Sequence, residues 1–563
     1  MAIKNIVQPQ WIKEAPKKGS FRSIFKYGAP DGFKHPNERL VKELMENFKL
    51  SDEDFTEKES TGNDIVDIKI ESKLNVEQTD KFIEICGAEN VSSKEYDRLK
   101  YSRGYAIEET MKLRRKEVGK ITDLVVHPRN KTDVSEIVKF CDQQKIPIYV
   151  YSGGSSVNFG LYPEKGGVTL VLSTHLNKIV SFNEVNQTVR VEAGMMGPAF
   201  EEALNNADEL YSAAHKFTCG HFPQSFEYSS IGGWFLTLGS GQQSTYYGDA
   251  GDLVLGVEMI SPSGNIITKN YPATASGPKV LDIIKGSEGI YGIVVELTWK
   301  IFRYMPENRQ RFSFIFPNWE AAVDASREIS QAEFGMPAVF RISDPEETHI
   351  GLKLYGIEDT VFDKLMKMRG FKPMQRCLFL GTADGEKQFA KNIKSKVKKI
   401  CKSYGGMNLT SFPVKKWEPG RYKDPYLRED LMDYGILMDT LETGLSWDKL
   451  HDVHQQCRAF AKSRPNTICM THASHFYPQG TNLYFIFIIK EDDVQEYVNF
   501  QEGLLDTIQQ SGGSLSHHHG IGRMISKWMP EHLGENQMNV LRALKMHFDP
   551  NNIMNPGKQL LGE

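Results

Sequence analysis

The chain is predicted to be an α+β protein. A nucleotide-binding domain is capped by a second α/β domain, and a carboxy-terminal segment returns to the core. Three observations predict this. A strand–helix–strand unit from Ile121 runs straight into the small-residue turn Tyr151-Ser152-Gly153-Gly154-Ser155-Ser156-Val157-Asn158. A second strand–helix rhythm starts at Arg311, and the tail closes with Met538–Phe548 and the turn Asp549-Pro550-Asn551-Asn552.

Residues 1 to 110 are charged, with a helix over Asn37–Phe48 and the acidic run Ser51–Ser60, and read as an extension wrapped on the core. In residues 111 to 303, Ile121–Val126 reads as a strand, Val134–Gln144 as an amphipathic helix and Ile146–Tyr151 as an apolar strand. Val168–Leu172 and a hairpin of Ile179–Phe182 with Thr188–Val191 follow. In residues 304 to 510 the pattern predicts strands Arg311–Phe316, Ala338–Ile342, Cys377–Leu380, Thr467–Thr471 and Asn482–Ile488. Its helices are Trp319–Ile329, Glu386–Tyr404 and Val494–Gln510, the last leading into residues 511 to 563.

Composition narrows the class. The 563 residues are 40% hydrophobic and 25% charged, which is ordinary for a globular chain, and the net charge of −4 gives no argument for nucleic acid. No apolar run reaches membrane-spanning length, and the first twenty residues lack the apolar stretch of a secretory signal. Seven scattered cysteines without a C-x-x-C make neither a disulfide framework nor a cysteine metal site, so a cytoplasmic setting is expected. The ending Leu561-Gly562-Glu563 is not the peroxisomal Ser-Lys-Leu signal.

The turn Tyr151–Asn158 lets consecutive backbone N–H groups converge on phosphate oxygens. It is neither G-x-G-x-x-G nor G-x-x-x-x-G-K-[ST], which speaks against a Rossmann site and a P-loop. Two further small-residue segments, Gly220–Trp234 and Gly286-Ser287-Glu288-Gly289-Ile290-Tyr291-Gly292, lie on the same domain, as the lining of an elongated diphosphate cofactor would. The densest signal is Ser514-Leu515-Ser516-His517-His518-His519-Gly520-Ile521-Gly522. Histidine titrates nearest neutrality, so three in a row suit proton transfer or anion binding. An extended backbone would put His517 and His519 on one face and His518 on the other. A solvated loop and a zinc site are the competing readings, and a metal-free site is the one expected.

Together these segments resemble the flavin domain of the vanillyl-alcohol oxidase (PCMH) type. Within it they are similar to the alkyldihydroxyacetonephosphate synthase family, most specifically in G-S-L-S-H-H-H-G-I-G, G-S-E-G-I-Y-G and the stretch from Leu441-Glu442-Thr443 to Trp447-Asp448. The resemblance implies FAD, held non-covalently by four segments. These are Ser152-Gly153-Gly154-Ser155-Ser156-Val157-Asn158, Gln224-Ser225-Phe226-Glu227-Tyr228-Ser229-Ser230, Leu236-Thr237-Leu238-Gly239 and Gly286–Gly292. It also implies Tyr484 as catalytic base with a phenol pKa lowered by its neighbours, His517, His518 and His519 as catalytic, and Arg428 and Arg341 as substrate-binding. His221 is the one position offered for covalent flavin attachment, which is not expected. The implied reaction exchanges the acyl chain of acyl-dihydroxyacetone phosphate for a long-chain fatty alcohol with no net redox change.

The rival is an FAD-linked D-2-hydroxy acid dehydrogenase, of the D-lactate or glycolate kind. Those enzymes carry H-x-G-D-G-N-L-H and G-E-H-G as metal ligands; here Tyr484 and His518 stand where a ligand histidine and the glutamate would be. Leu238 and Met438-Asp439 depart from the synthase pattern. Trp528-Met529-Pro530 is the candidate for a peripheral membrane contact, and a homodimer is left open.

Overall fold

A computed structural model describes residues 13–55, 61–557 and 561. Part of the acidic run Ser51–Ser60, the first twelve residues and the final Gly562-Glu563 lie outside the described residues. The strand–helix–strand unit forms a four-stranded sheet in the order Val91–Ser92, Leu124–Val126, Val168–Val171, Ile148–Tyr151. Its last three strands are parallel. The crossover helix Lys131–Gln144 starts three residues earlier than its apolar periodicity suggests, because the Asn130 side chain accepts from the N–H groups of Thr132 and Asp133. The expected hairpin forms as Ile179–Asn183 with Thr188–Glu192 and opens a five-stranded antiparallel sheet completed by Ile293–Lys300, Val254–Ser261 and Gly264–Ile267. The tail returns as expected: Ile148 N–H donates to Ile553 O at 2.7 Å and Asn555 N–H to Ile148 O at 2.8 Å.

The second half is one antiparallel sheet in the order Met407–Thr410, Gln310–Phe316, Cys377–Ala383, Val339–Ser343, Ile468–Ala473, Gly480–Lys490, Ile436–Ser446. The strand Ile436–Ser446 had no counterpart in the sequence reading. This sheet is buried on both faces, and strand alternation sorts its side chains. Leu437, Leu441, Cys469, Phe485 and Phe487 pack into the main core. Ile436, Met438, Ile468, Met470 and Ile488 pack under the amino-terminal helix Glu38–Phe48. Tyr484 shares the second face with Ile488, so the amino-terminal extension roofs that face.

Buried charge locks the extension down. The Arg22 guanidinium grips Asp433 with two bonds of 2.8 and 2.7 Å, Arg114 adds a third of 2.8 Å, and Lys26 reaches Glu429 at 2.8 Å. Asp433 and Glu429 flank or belong to the helix Asp424–Met432, which carries Arg428. The Trp528-Met529 pair is buried, with Trp528 Nε1–H donating to Asp506 at 2.6 Å. The candidate membrane contact there is therefore interior packing.

Candidate active site

Three strands build the floor. Tyr484 lies opposite Glu442 in one register and opposite His472 in the other, so a row His472–Tyr484–Glu442 crosses the roofed face. The His472 ring stacks on Tyr484 at 4.8 Å, His518 stacks on it from another side at 5.8 Å, and His519 meets it edge-on at 5.4 Å.

The triplet is not extended. Glu442, at 2% exposure, accepts the backbone N–H of His517 at 2.7 Å and those of His518 and His519 at 3.0 Å, plus the Ser516 hydroxyl at 2.7 Å. Three successive N–H groups aimed at one carboxylate form a nest, which an extended strand cannot do. The two-faced division of the imidazoles is corrected accordingly: His517, His518 and His519 fan out from one turn. The other end of the turn is held by Glu288, which accepts from Ile521 N–H at 2.5 Å and Gly522 N–H at 2.8 Å. Asn158 of the glycine–serine turn donates to His519 O at 2.8 Å. Gly522 is required here, since a Cβ would sit 2.1 Å from Asn158 O.

The electrostatics follow from these contacts. Burial works against the charge of Glu442, but the imidazoles of His518, His519 and His517 and the Ser516 hydroxyl outweigh it and hold the carboxyl far below its usual range. Burial pushes the His518 and His519 imidazoles down, with Glu442 pulling them back only in part. Burial raises the Tyr484 phenol, whose hydroxyl donates to Thr440 Oγ1 at 3.1 Å. The expectation of a lowered phenol pKa is thereby overturned: Arg428 acts in that direction, but burial and the charges of Glu442 and Asp439 prevail.

The two arginines take unequal places. Arg428 donates to the Tyr105 carbonyl of the extension and lies 3.9 Å from Asp439. Among the described residues it makes no hydrogen bond to the triplet, and it acts on Tyr484 and His519 through its field. Arg341 donates to Glu347 at 2.5 Å and is 3.1 Å from His472 Nδ1, so it braces the ring under Tyr484. The sequence marks Glu442 within the Leu441-Glu442-Thr443 stretch of the resemblance without giving it a role, and does not mark Tyr477 or Asp249 as site residues. Tyr477 and Asp249 carry no local signal.

The four small-residue segments come together, except that Phe226, Ile290 and Tyr291 turn into the core, where Tyr291 packs on Phe548 at 5.2 Å. A Cβ on Gly153 would meet Ser229 Cα and Tyr228 O at 2.7 Å, so the first segment lies against the second. Glu288 N–H donates to Leu236 O at 3.0 Å, joining the fourth to the third. The Ser152 and Ser287 hydroxyls are buried without a partner, which fits donors that await a dinucleotide. The ligand atoms of Glu442, His517 and His518 lie within 4.8 Å of one another. Glu442 also accepts from four donors of its own loop, and the two histidines turn their Nδ1 atoms to each other at 3.1 Å.

A PCMH-type dinucleotide domain joined to this antiparallel cap defines a flavoprotein. Residues 122–270 match the family model "FAD binding domain" and residues 305–559 match "FAD linked oxidases, C-terminal domain". The chain is 30% identical to the alkyldihydroxyacetonephosphate synthase of Dictyostelium discoideum, over 82% of this chain and 77% of that one. It is 24% identical to glycolate oxidase subunit GlcD of Bacillus subtilis, over 85% and 96%. A solved alkyldihydroxyacetonephosphate synthase structure superposes with a TM-score of 0.75 at 27% identity, covering 87% of each chain. The chain belongs to the FAD-linked oxidase family, and its cofactor is FAD. Among the described residues no helix is long and apolar enough to cross a membrane.

Proposed function

We propose that this enzyme is an alkyldihydroxyacetonephosphate synthase: it exchanges the acyl chain of acyl-dihydroxyacetone phosphate for a long-chain fatty alcohol without net redox. The observation that carries the reading is the constellation of Tyr484 stacked between His472 and His518, where a 2-hydroxy acid dehydrogenase needs a metal held by histidines and a carboxylate. The likeness to synthases over most of the chain supports it further.

FAD, when bound, supplies the reactive ring beside which the exchange takes place. In this reading it is held non-covalently, with His221 enclosed between Trp234 at 4.8 Å and Trp299 at 5.8 Å. The protein binds, orients and moves protons. Arg428 and the imidazoles complement the phosphate and ketone of the substrate. Tyr484, kept protonated, is a hydrogen-bond donor, and the neutral imidazoles are the proton acceptors.

The test is anaerobic incubation of the flavin-loaded enzyme with palmitoyl-dihydroxyacetone phosphate and hexadecanol, without an electron acceptor. Ether product by mass spectrometry, with the flavin ending oxidised, supports the synthase. No ether product, together with acceptor-dependent oxidation of D-lactate or glycolate, replaces it with the dehydrogenase.

A further inference from the structure

A polar chain runs from the edge of the flavin domain to the triplet. Asp249 is half-buried; its Oδ2 accepts the Tyr477 hydroxyl at 2.6 Å, and its Oδ1 accepts the Ser240 hydroxyl. Tyr477 Oη is 2.8 Å from His517 Nε2, and His517 Nδ1 is 3.1 Å from His518 Nδ1. With one proton on each imidazole, the direction of every bond follows from the first. A carboxylate only accepts, so Tyr477 donates to it and must accept from His517 Nε2–H. A singly protonated His517 ring then offers Nδ1 as an acceptor, and His518 fills it with Nδ1–H, which also lies 3.5 Å from Glu442 Oε2. What remains is the lone pair on His518 Nε2, for which the described residues provide no hydrogen-bond partner. His475 is held apart by the Ser240 and Ser244 hydroxyls at its Nδ1, 3.0 and 2.7 Å away, and does not break the chain.

We propose that Asp249 and Tyr477 are positioning residues that fix the tautomer of the triplet, leaving His518 Nε2 as the proton acceptor of the site. Protons balance along the chain. Uptake at His518 Nε2 passes the Nδ1 proton of His518 to His517 Nδ1, the Nε2 proton of His517 to Tyr477 Oη, and the Tyr477 proton to Asp249 Oδ2. Each imidazole and the phenol end neutral, and the proton rests on a carboxylate at the edge of the site. The arrangement applies the orienting logic of a hydrolase triad, where an acid fixes which imidazole nitrogen is free. It deepens the proposed function by resting on the triplet as its reacting centre, but its test needs no substrate.

Diethylpyrocarbonate acylates an unprotonated imidazole nitrogen. The flavin-loaded enzyme is treated at neutral pH and the modified histidines are mapped by peptide mass spectrometry, with exposed His451 as internal reference. His518 is expected to react and His517 to be protected. Tyr477→Phe and Asp249→Asn each remove the bias, so the His518-to-His517 ratio falls about tenfold, the size of one ordinary hydrogen bond. A general loosening would raise both rates together, and that result, or an unchanged ratio in flavin-loaded variants, overturns the proposal. Should both variants fail to bind flavin, the wild-type pattern decides alone: preferential reaction at His517 refutes the assigned direction. Ether formation is assayed separately, so loss of the synthase reading leaves this result standing.

Discussion

Two glutamates, Glu442 buried and Glu288 half-buried, hold the two ends of the histidine turn, and they do it in opposite electrical states. Glu442 serves four donors amid three imidazoles and is held far below the usual carboxyl range. Glu288, half-buried, accepts two backbone N–H groups; desolvation pushes it up to about 7 although Ile521 and Gly522 pull the other way. The residue type and the task are the same. What differs is the company each carboxyl keeps, three imidazoles and a hydroxyl against two backbone N–H groups, and that company decides whether its charge is favoured or suppressed.

Removing the charge at the well-served end should do the most damage. In Glu442→Gln an amide NH₂ group must face N–H donors of residues 517–519, so about 3 kcal/mol of stability is expected to go. With the turn released from its strand, turnover should fall by at least ~100-fold. Thermal melting and the assay of ether formation check both. A Glu442→Gln enzyme that melts and turns over like wild type would erase the distinction between the two ends. The next largest effect lies beside the Glu288 end. Asn158→Ala removes the bond to His519 O, linking the glycine–serine turn to the triplet, and should weaken FAD retention and turnover while costing only ~1 kcal/mol of stability. Flavin release on dilution reads the first of these.

How much of this was visible in the sequence depends on how locally each feature is encoded. The turn Tyr151–Asn158 and the flanking glycines of the triplet announce themselves because backbone freedom and N–H convergence are set by neighbours in the chain. Most strands were legible from apolar runs, and the helix Val494–Gln510 matches residue for residue. The strand Ile436–Ser446 was not, because Asp439, Glu442 and Thr443 interrupt its pattern; each is buried and satisfied by partners dozens of residues away, Asp439 by Tyr497 and Gln501. The amino-terminal extension read as mere wrapping because its contribution, the Tyr105 carbonyl under Arg428, is a backbone atom that no motif marks. Tyr477 and Asp249 meet across 228 positions, a pairing that only the finished fold specifies.

The last effect, one of stability alone, is the sharpest test of the comparison, because it turns on sign. Glu288 has a folded pKa of about 7 against a usual 4.5, so between these values the folded state keeps a proton that the unfolded chain has lost. Stability therefore falls as pH rises through that window and is level above it; the shift corresponds to ~3 kcal/mol across the window. Glu442 behaves oppositely: its contribution is full above the usual carboxyl range and drains away as pH falls below it. Glu288→Gln removes the first dependence and keeps the second. The side chain retains its Cβ, so the left-handed backbone at φ 49° is no more strained than before. One backbone N–H loses a good acceptor, a cost of ~1 kcal/mol that does not vary with pH. Against wild type the variant should be less stable near pH 4.5 and recover, or overtake it, at pH 7 and above. Melting curves across this range decide it: parallel pH profiles for the two proteins would mean that Glu288 stays ionised like Glu442, and that two N–H donors are enough to keep a half-buried carboxylate charged.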